Sequence, residues 1–400
     1  MGNFLWLNWS GGGNLPPSLG IARVLTERGH SVTFAGRPEM VPRVVHAGFR
    51  AIEFKDSYAQ VDRYPQGSFL TRAGCYLTSP AVAAEAAAIV AAEDPDVVVV
   101  DAMFPAALSE VPNFGRPAAL ALHTFIFRQL DMWRQMIARL DGMRQHAGFG
   151  ALPPLDVLWQ QMGRIVCTAL GEFDATPVPG WEMLRHVGPV LENEKVAVPT
   201  ALPWPDSDRT PLVLVSLSTA FEQRSVEKLQ RSLDALGGLP VHVVATTGGI
   251  VRSDELTVPA NAIVLNYAAH DPILQRAALA VSHGGHGTAM RSLRNGVPMV
   301  IMPGLAGDQP FVAAAIQEWG AGLALASDTG ADAIRAAAHE VLTTPGYRLT
   351  AERLSQPLLQ CDGASAAATE LEALIAAPAT AKISAKKPTG RIECLAQQVD

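Results

Sequence analysis

The chain has 400 residues, of which 48% are hydrophobic and 17% are charged. This length exceeds the usual size of one domain, so we expect two globular domains. The formal net charge of −7 disfavours nucleic-acid binding, which normally needs a concentrated Lys/Arg surface, and we expect no nucleic-acid partner. Acidic residues interrupt the apolar runs well before the ~20 residues that a bilayer requires, so we expect a soluble protein without a membrane span.

The start of the chain and its cysteines bear on localisation. Residues 1–6 show no basic region followed by an apolar segment and a small-residue cleavage site, so a cytoplasmic protein is expected. The cysteines are far apart and form no C-x-x-C pair, which disfavours a disulfide framework and a structural zinc site. The four positions are Cys75, Cys167, Cys361 and Cys394.

The N-terminal half alternates predicted strands and helices. Residues 3–9 form an apolar predicted strand, a glycine-rich break follows, and apolar residues then recur at helical spacing until Gly29. A second strand is predicted over 31–35. The alternation continues with a predicted helix over 81–92 and predicted strands over 96–101 and 118–122. This order is typical of βαβ units in a parallel sheet with helices on both faces.

A long helical stretch rich in Met and Trp is predicted between residues 125 and 170. Most of these side chains are expected in the core. Some could instead line a pocket for a flat apolar ligand, because thioethers and indoles adapt to irregular shapes. The sequence leaves both interpretations open.

A Pro-rich segment divides the chain. Residues 196–211 have the composition of a domain linker, and a second series of strands alternating with helices follows. The predicted fold class is therefore α/β, with two doubly wound Rossmann-like domains in tandem. We expect an N-terminal domain of residues 1–195, a C-terminal domain of residues 212–376 and a weakly ordered tail of residues 377–400.

The strongest local signal is the run SHGGHGT at residues 282–288, which leads from a predicted strand into a helix predicted over 288–295. Glycines let a ligand approach the main chain, and the first N–H groups of a helix attract anions, so a diphosphate fits. His283 and the hydroxyl of Thr288 add donors. The run lacks the Lys of a P-loop, and Met290 stands where G-x-G-x-x-G needs its last glycine. A tight turn needed only for packing is the alternative.

The wider context resembles the donor-binding signature of nucleotide-sugar glycosyltransferases, in particular the bacterial antibiotic and macrolide branch of the UDP-glycosyltransferase superfamily. The resemblance rests on residues 266–271 (NYAAHD), 282–288, 296–298 (GVP) and 307–310 (GDQP). It extends over most of residues 1 to about 375. It implies the GT-B fold, in which two Rossmann-like domains face each other across a cleft, and it implies an inverting, metal-independent reaction without a cofactor.

The resemblance also implies a role for each matching residue. Tyr267 would stack on the base, the main chain of Ala268 would contact the base edge, and Asp308 and Gln309 would bind sugar hydroxyls. Capping of the following helix is the alternative role for Asp308. The implied diphosphate contacts are His283, Gly284, Gly285, Gly287 and Thr288, with Ser218 or Thr219 as further hydroxyl donors.

The nucleotide is suggested by a single position. Arg291 stands where the family has a Glu that binds the ribose hydroxyls. Because a missing acceptor suits a deoxyribose, a dTDP-sugar is the expected donor and a UDP-sugar the second possibility. Arg291 could instead lie on a solvated helix face or add positive charge near the diphosphate.

The catalytic base departs from the family pattern. Asn14 stands where the family has a catalytic His, and a carboxamide cannot take a proton. Asp101 matches the acidic partner of that missing His, and His123 follows another predicted strand, so either could act as the base. Capping by Asp101 and burial of His123 as a hydrogen-bonded core residue are the structural alternatives. An acceptor acidic enough to need little help, or a chain that binds donor without efficient transfer, also remains open.

The expected function is transfer of a sugar from a nucleoside diphosphate to an apolar natural-product acceptor. The donor would be held mainly by residues 212–376 and the acceptor by residues 1–195. The helix N-terminus and His283 would stabilise charge on the leaving group in place of a metal. A sugar-nucleotide epimerase of the same fold, or a non-catalytic donor-binding partner of a glycosyltransferase, are the alternatives.

Overall fold

A computed structural model gives the structure of residues 1–9, 13–59, 74–191, 202–205, 207–217, 225–304 and 307–375. Ser218, Thr219 and the expected C-terminal tail lie outside the described residues, as does part of the expected linker. Among the described residues, no helix is both long and apolar enough to span a membrane.

The first α/β unit is formed by the N-terminal half of the chain. Its elements are β1 (Asn3–Asn8), α1 (Leu15–Glu27), β2 (Ser31–Gly36), α2 (Val41–His46), β3 (Arg50–Glu53), α3 (Lys55–Tyr58), α4 (Pro80–Glu93), β4 (Val97–Asp101), α5 (Pro105–Glu110), β5 (Ala118–Leu122), α6 (Leu130–His146), α7 (Leu155–Gln160), β6 (Arg164–Cys167) and β7 (Leu184–His186). The strands pair in parallel in the order β3-β2-β1-β4-β5-β6-β7. Every residue of β4 and β5 is buried, because helices cover both faces of the sheet.

The second α/β unit repeats this plan. Its elements are β8 (Leu212–Ser216), α8 (Val226–Gly237), β9 (His242–Thr246), β10 (Ala262–Leu265), α9 (His270–Leu274), β11 (Ala277–Ser282), α10 (His286–Arg294), β12 (Met299–Ile301), α11 (Gln309–Glu318), β13 (Gly322–Ala324), α12 (Ala331–Thr343) and α13 (Pro345–Gln360), followed by α14 (Gly363–Ile375). The parallel strand order is β10-β9-β8-β11-β12-β13. The expected fold class of two Rossmann-like doubly wound units is confirmed.

Both sheets reverse their strand order at one place. The reversal lies between β1 and β4 in the first sheet and between β8 and β11 in the second. Ligands of doubly wound sheets bind at the carboxyl ends of the strands that flank such a switch point. Ligand-binding residues are therefore expected directly after β1, β4, β8 and β11.

The last helix departs from the expected domain division. Residues 363–375 were expected in the C-terminal domain, but α14 packs against α1 and places Ala367, Leu371 and Leu374 in the core under the first sheet. Glu372 of α14 accepts from Arg28 at 2.8 Å and lies 3.0 Å from His30. The chain crosses back because the apolar face of α14 completes this core.

The Met- and Trp-rich stretch is mostly core. Trp133 of α6 and Trp159 of α7 are buried with ring centroids 5.3 Å apart, and Met162 is buried beside them. Met132 and Met136 are partly buried and pack against the same cluster. Trp133, Trp159 and Met162 are therefore core residues, as expected for most of this stretch. The stretch is not helical throughout, because β6 (Arg164–Cys167) lies within it.

Candidate functional site

Asn14 and Asp101 meet at the switch point of the first sheet. Asp101 ends β4, and Asn14 immediately precedes α1. The Nδ2 group of Asn14 donates to both carboxylate oxygens, at 2.9 Å and 3.1 Å, and the N–H of Met103 donates at 2.8 Å. Burial raises the pKa of Asp101 to about 7, although these hydrogen bonds oppose the rise. The Asp101 side chain does not cap α5, whose N-cap residue is Phe104.

The orientation of Asn14 has a chemical consequence. Because its Nδ2 group faces Asp101, its carbonyl oxygen lies on the opposite side of the amide. That oxygen can accept a hydrogen bond from a ligand hydroxyl, but it cannot take the proton. Asn14 therefore contacts Asp101 as a catalytic base would contact its acidic partner, but its amide can only orient a hydroxyl.

His123 belongs to a separate hydrogen-bond network. It directly follows β5, and its Nε2 lies 3.0 Å from the Ser18 hydroxyl, while Nδ1 lies 3.4 Å from the Thr168 hydroxyl. Ser18 itself donates to the main-chain carbonyl oxygen of Asn14 at 3.0 Å. Desolvation lowers the pKa of His123 to about 3, with a smaller contribution from His286. With both ring nitrogens engaged, the geometry favours the hydrogen-bonded role of His123 over that of a base.

Asn8 connects the two networks. Its Nδ2 group lies 3.1 Å from the Ser18 hydroxyl and 3.4 Å from the carboxylate of Asp101. The last residue of β1 therefore places Ser18, Asp101 and, through Ser18, His123 in one buried polar cluster. Sequence reasoning did not select Asn8 or Ser18; a polar residue at the end of an otherwise apolar strand was the available signal.

The glycine-rich run forms the corresponding edge of the second sheet. β11 ends at Ser282, and α10 begins at His286, two residues earlier than predicted. The first backbone bond of α10 runs from Ala289 N–H to the Gly285 carbonyl at 3.0 Å. Residues 286–288 consequently form the first turn, whose N–H groups have no acceptor within their own helix.

Two glycines of this run meet close neighbours. Gly284 has φ of +82°, and a Cβ there would lie 2.9 Å from Ile301 and 3.1 Å from the Gln309 carbonyl. A Cβ on Gly285 would lie 2.7 Å from Nε2 of His283. Gly287, in contrast, faces open space. The main chain can therefore be approached closely at Gly287, while Gly284 and Gly285 are required by the packing of the loop.

His283 presents an unused nitrogen at this loop. Its Nδ1 is buried and has no hydrogen-bond partner among the described residues. Burial lowers the pKa of His283 to about 4, and Lys228 contributes in the same direction. A neutral imidazole with a free nitrogen can donate to an incoming phosphate oxygen.

Lys228 is a cation near the loop that sequence reasoning missed. It lies in the first turn of α8, where its Nζ donates to Ser327 at 2.7 Å and lies 3.4 Å from the Met302 carbonyl. A cation at the positive end of a helix is unfavourable, and burial lowers the pKa of Lys228 further. A lysine in the first turn after the first strand of a Rossmann unit was the available signal.

Asp308 links the two units. Its carboxylate accepts from the Thr124 side chain and from the His286 N–H, and these bonds partly oppose the rise in pKa caused by burial. It makes no side-chain cap bond to α11, the helix that it was expected to cap under the alternative interpretation. The Asp308 side chain therefore lies at the start of α10 and touches the first unit through Thr124.

The other implied donor contacts lie around the same edge. Gln309 is 4% exposed, and its Oε1 accepts from the Gly304 N–H at 2.7 Å. The ring of Tyr267 is 52% exposed and lies against Gly249, where a Cβ would come within 2.8 Å of its hydroxyl. Ala268 is partly buried against the core. An exposed ring at the end of β10 is available for stacking on a base.

Arg291 is not on a solvated helix face. Its guanidinium pairs with Asp271, and only 12% of its side chain is exposed. Asp271 also accepts from Asn295 at 3.1 Å. Burial lowers the pKa of Arg291, while Asp271 opposes the shift. The alternative of a solvated Arg291 is wrong, because α9 supplies a carboxylate that neutralises it.

Three potential metal ligands come together beneath the loop that follows β5. The ligand atoms of Cys167, Asp174 and His186 lie within 4.8 Å of one another. The Asp174 carboxylate already accepts from His186 at 3.0 Å and from three backbone N–H groups, those of Ile126, Arg128 and Ala175. Its oxygens are thus occupied by the loop, which the cluster holds in place.

Comparisons with known proteins address the family. Residues 230–374 match the family model described as "Erythromycin biosynthesis protein CIII-like, C-terminal domain". The chain is 31% identical over 201 residues to "UDP-glucosyltransferase B1" of Starmerella bombicola, covering 48% of this chain and 46% of that protein. The chain thus spans less than half the length of this curated relative.

Solved structures show the same two-unit fold over nearly the whole chain. The calicheamicin glycosyltransferase CalG4 superposes with a TM-score of 0.75 at 24% identity, covering 94% of this chain and 100% of that one. The glycosyltransferase VinC, solved in complex with dTDP, gives a TM-score of 0.67 at 19% identity, covering 93% and 99%. The chain therefore has the GT-B fold of these solved glycosyltransferases, and its residues 230–374 match the erythromycin-biosynthesis family model. The expected resemblance is therefore confirmed.

Proposed function

We propose that the protein is an inverting, metal-independent glycosyltransferase that moves a sugar from dTDP, or secondarily from UDP, to an apolar natural-product acceptor. The observation that carries this proposal is the contact between the two sheet edges. Thr124 and Phe125 follow β5 in the first unit. Thr124 contacts Asp308, which precedes α11, and Phe125 contacts His286, which begins α10. Asn14 and Asp101 lie at the same edge of the first sheet. Donor and acceptor groups would thus meet where the two units join.

The donor-side loop supports stabilisation of the leaving group. The first turn of α10 offers N–H groups, Gly287 leaves the main chain accessible, and Nδ1 of His283 has no partner in the part of the chain that the structure describes. As the bond between the anomeric carbon and the phosphate oxygen breaks, these donors would stabilise the negative charge that develops on the diphosphate. Lys228, beside His283, would add positive charge.

The acceptor-side pair supports orientation of the nucleophile. The carbonyl oxygen of Asn14 would accept from the acceptor hydroxyl and point its oxygen at the anomeric carbon, on the face opposite the diphosphate. The proton would then leave to Asp101, whose pKa of about 7 suits a general base, or to solvent when the acceptor is acidic. Direct transfer to Asp101 requires Asn14 to move aside, because the amide covers both carboxylate oxygens.

Asp101→Asn tests the catalytic assignment. We expect transfer from dTDP-glucose to a phenolic acceptor to fall by about 100-fold, the usual loss for a general base. Asp96→Asn is the matched control, because Asp96 lies just before the same strand at the opposite edge of the sheet, where it accepts from the Asn3 N–H. Unchanged turnover in Asp101→Asn would remove Asp101 from the mechanism.

The pH profile of kcat/KM separates the candidate bases. Proton transfer to Asp101 predicts a rate that rises about tenfold per pH unit and levels off above about 7. If His123 were the base, its pKa of about 3 would predict a rate that does not change with pH above about 5. A profile that follows the pKa of each acceptor would show that the acceptor ionises without help.

Product analysis separates the proposed reaction from its alternatives. Transfer with inversion at the anomeric carbon supports the proposal. An isomerised nucleotide sugar without an acceptor product would indicate an epimerase, and binding without either product would indicate a donor-binding partner. Calorimetry with dTDP and with UDP tests the nucleotide: tighter binding of UDP would overturn the dTDP preference drawn from Arg291 and supported by the neighbour VinC.

A further inference from the structure

One buried nitrogen at the junction of the two units has no assigned role. His286 is the first residue of α10, and its side chain is 5% exposed. Its Nε2 has no hydrogen-bond partner among the described residues. Buried polar atoms are nearly always paired, so an unpaired one beside a binding loop can be satisfied by a ligand.

The His286 ring is held by both units. It packs edge-to-face against Phe125 with ring centroids 5.0 Å apart and an interplanar angle of 88°. The backbone N–H of the same residue donates to the Asp308 carboxylate. His123 is close enough for the two rings to influence each other electrostatically. His286 therefore contacts Asp308 through its main chain and lies near the polar cluster of the first unit.

The ring is neutral near physiological pH. Burial lowers the pKa of His286 to about 4, and the nearby Asp174 only partly opposes this. The positive end of α10 also disfavours an imidazolium at this position. A neutral ring nitrogen can accept from or donate to a hydroxyl, and the Asp308 carboxylate at this residue disfavours a phosphate here.

We propose that Nε2 of His286 hydrogen-bonds a hydroxyl of the transferred sugar, beside Asp308. A carboxylate that accepts and an imidazole next to it then bind neighbouring hydroxyls of one polyol. This assignment rests on the proposed function and makes His286 a binding residue that discriminates between sugars. A sugar that lacks the contacted hydroxyl would leave the nitrogen unpaired and bind less well.

The experiment compares dTDP-glucose with dTDP by calorimetry in two variants. His286→Phe keeps a ring against Phe125 but removes both nitrogens, whereas the side-chain amide of His286→Gln reaches the position of Nε2. We expect the ratio of the Kd for dTDP-glucose to the Kd for dTDP to rise about 3- to 10-fold in His286→Phe and to stay near the wild-type value in His286→Gln. Binding of dTDP itself should change little in either variant.

The outcomes distinguish this inference from the proposed function. An unchanged ratio in His286→Phe, or an equal rise in both variants, would overturn the role of His286 while leaving the donor site intact. Wild-type protein that binds neither dTDP nor UDP would overturn the proposed function itself. If His286→Phe unfolds at a lower temperature than the wild type, His286→Asn replaces it, because its shorter amide cannot reach the Nε2 position and the same rise is expected.

Discussion

At the scale of single residues, the Asn14–Asp101 pair is the feature on which the proposed proton transfer depends. The carboxylate is fully buried and surrounded by donors, yet its pKa is raised to about 7 because desolvation outweighs them. A carboxylate of this kind is more useful as a proton acceptor near neutrality than an ordinary Asp. The amide of Asn14 covers it, so the identity of residue 14 controls access to that proton site.

Replacing Asn14 tests this control. Asn14→His would place a titratable ring against Asp101 and supply the base that the family pattern contains. We expect transfer to a weakly acidic alcohol acceptor to rise by about 100-fold, with little change for an acidic phenol. Parallel rate measurements with the two acceptors check this. Equal effects on both acceptors would show that proton removal does not limit the reaction.

The raised pKa of Asp101 also predicts how stability depends on pH. Its pKa lies at about 7 in the folded protein against an ordinary value of 3.8. Between these values the folded protein holds the proton more tightly than the unfolded chain, so this stabilisation is complete below about 4 and is lost as the pH rises through about 7. Urea unfolding across this range should show the wild type losing free energy of unfolding relative to Asp101→Asn. Parallel curves would contradict the shifted pKa.

Two glycines of the donor loop allow structure and binding to be separated. Gly284 has positive φ and close neighbours, so Gly284→Ala should lower the free energy of unfolding by about 1–3 kcal/mol. Gly287 faces open space inside α10, so Gly287→Ala should fold at least as well but obstruct a diphosphate. Thermal unfolding with and without dTDP checks both. Normal dTDP binding by Gly287→Ala would place the diphosphate elsewhere.

At the scale of elements, predictability follows local pattern. β5 has the predicted bounds because it is a continuous apolar run. β6 was missed because residues 125–170 were predicted to be helical. β3, β7 and β13 were not predicted either, since edge strands of three or four residues are half exposed and carry no clear periodicity. The start of α10 was placed two residues late because glycines and a histidine, without a capping side chain, gave no start signal.

The helix α14 shows what local pattern cannot provide. Its amphipathic sequence predicts a helix, but the neighbouring sequence does not determine which of the two sheets the helix packs against. Leu371 is fully buried against the first unit, and Glu372 pairs with Arg28. The same limit applied to the site: Asn14 and Asp101 were singled out through the family pattern, whereas Ser18, Lys228 and the contact between Asp308 and Thr124 depend on tertiary packing.

Substitutions in α14 test whether this helix packs against the first unit. Leu371→Ala should lower the free energy of unfolding by about 2–5 kcal/mol and speed hydrogen exchange in α1 and β2. Glu372→Gln is the matched control on the neighbouring position and should cost no more than ~1 kcal/mol, because its ion pairs are partly exposed. Faster exchange in α8 or α12 instead would contradict the packing of α14 on the first unit.

At the scale of the whole molecule, aromatic and charged contacts join the two units. Trp319, which follows α11, lies 4.9 Å from Phe173 and 6.2 Å from Phe125 between ring centroids. The guanidinium of Arg128 lies 5.2 Å from the same indole and pairs with Glu318 at 2.8 Å. These contacts join the edge of the first unit that carries Thr124 and Phe125 to the start of α11 and its neighbours in the second unit.

Removing the indole should loosen the junction without unfolding either unit. We expect Trp319→Ala to lower kcat/KM for transfer by about 2- to 10-fold and to increase the radius of gyration measured by small-angle scattering. Arg134→Ala is the control, because the ion pairs of Arg134 with Asp131 and Asp156 lie within the first unit. An unchanged radius together with unchanged kinetics would show that the junction does not depend on Trp319.

The return of α14 to the first unit constrains how the protein can be divided. A gene cut between β7 and β8 would give a first half without its final helix and a second half ending in a surplus apolar segment. Neither half is a complete unit, so each half should aggregate when it is expressed separately. A circular permutant that places residues 363–375 ahead of β1 would instead give each half a contiguous stretch of chain.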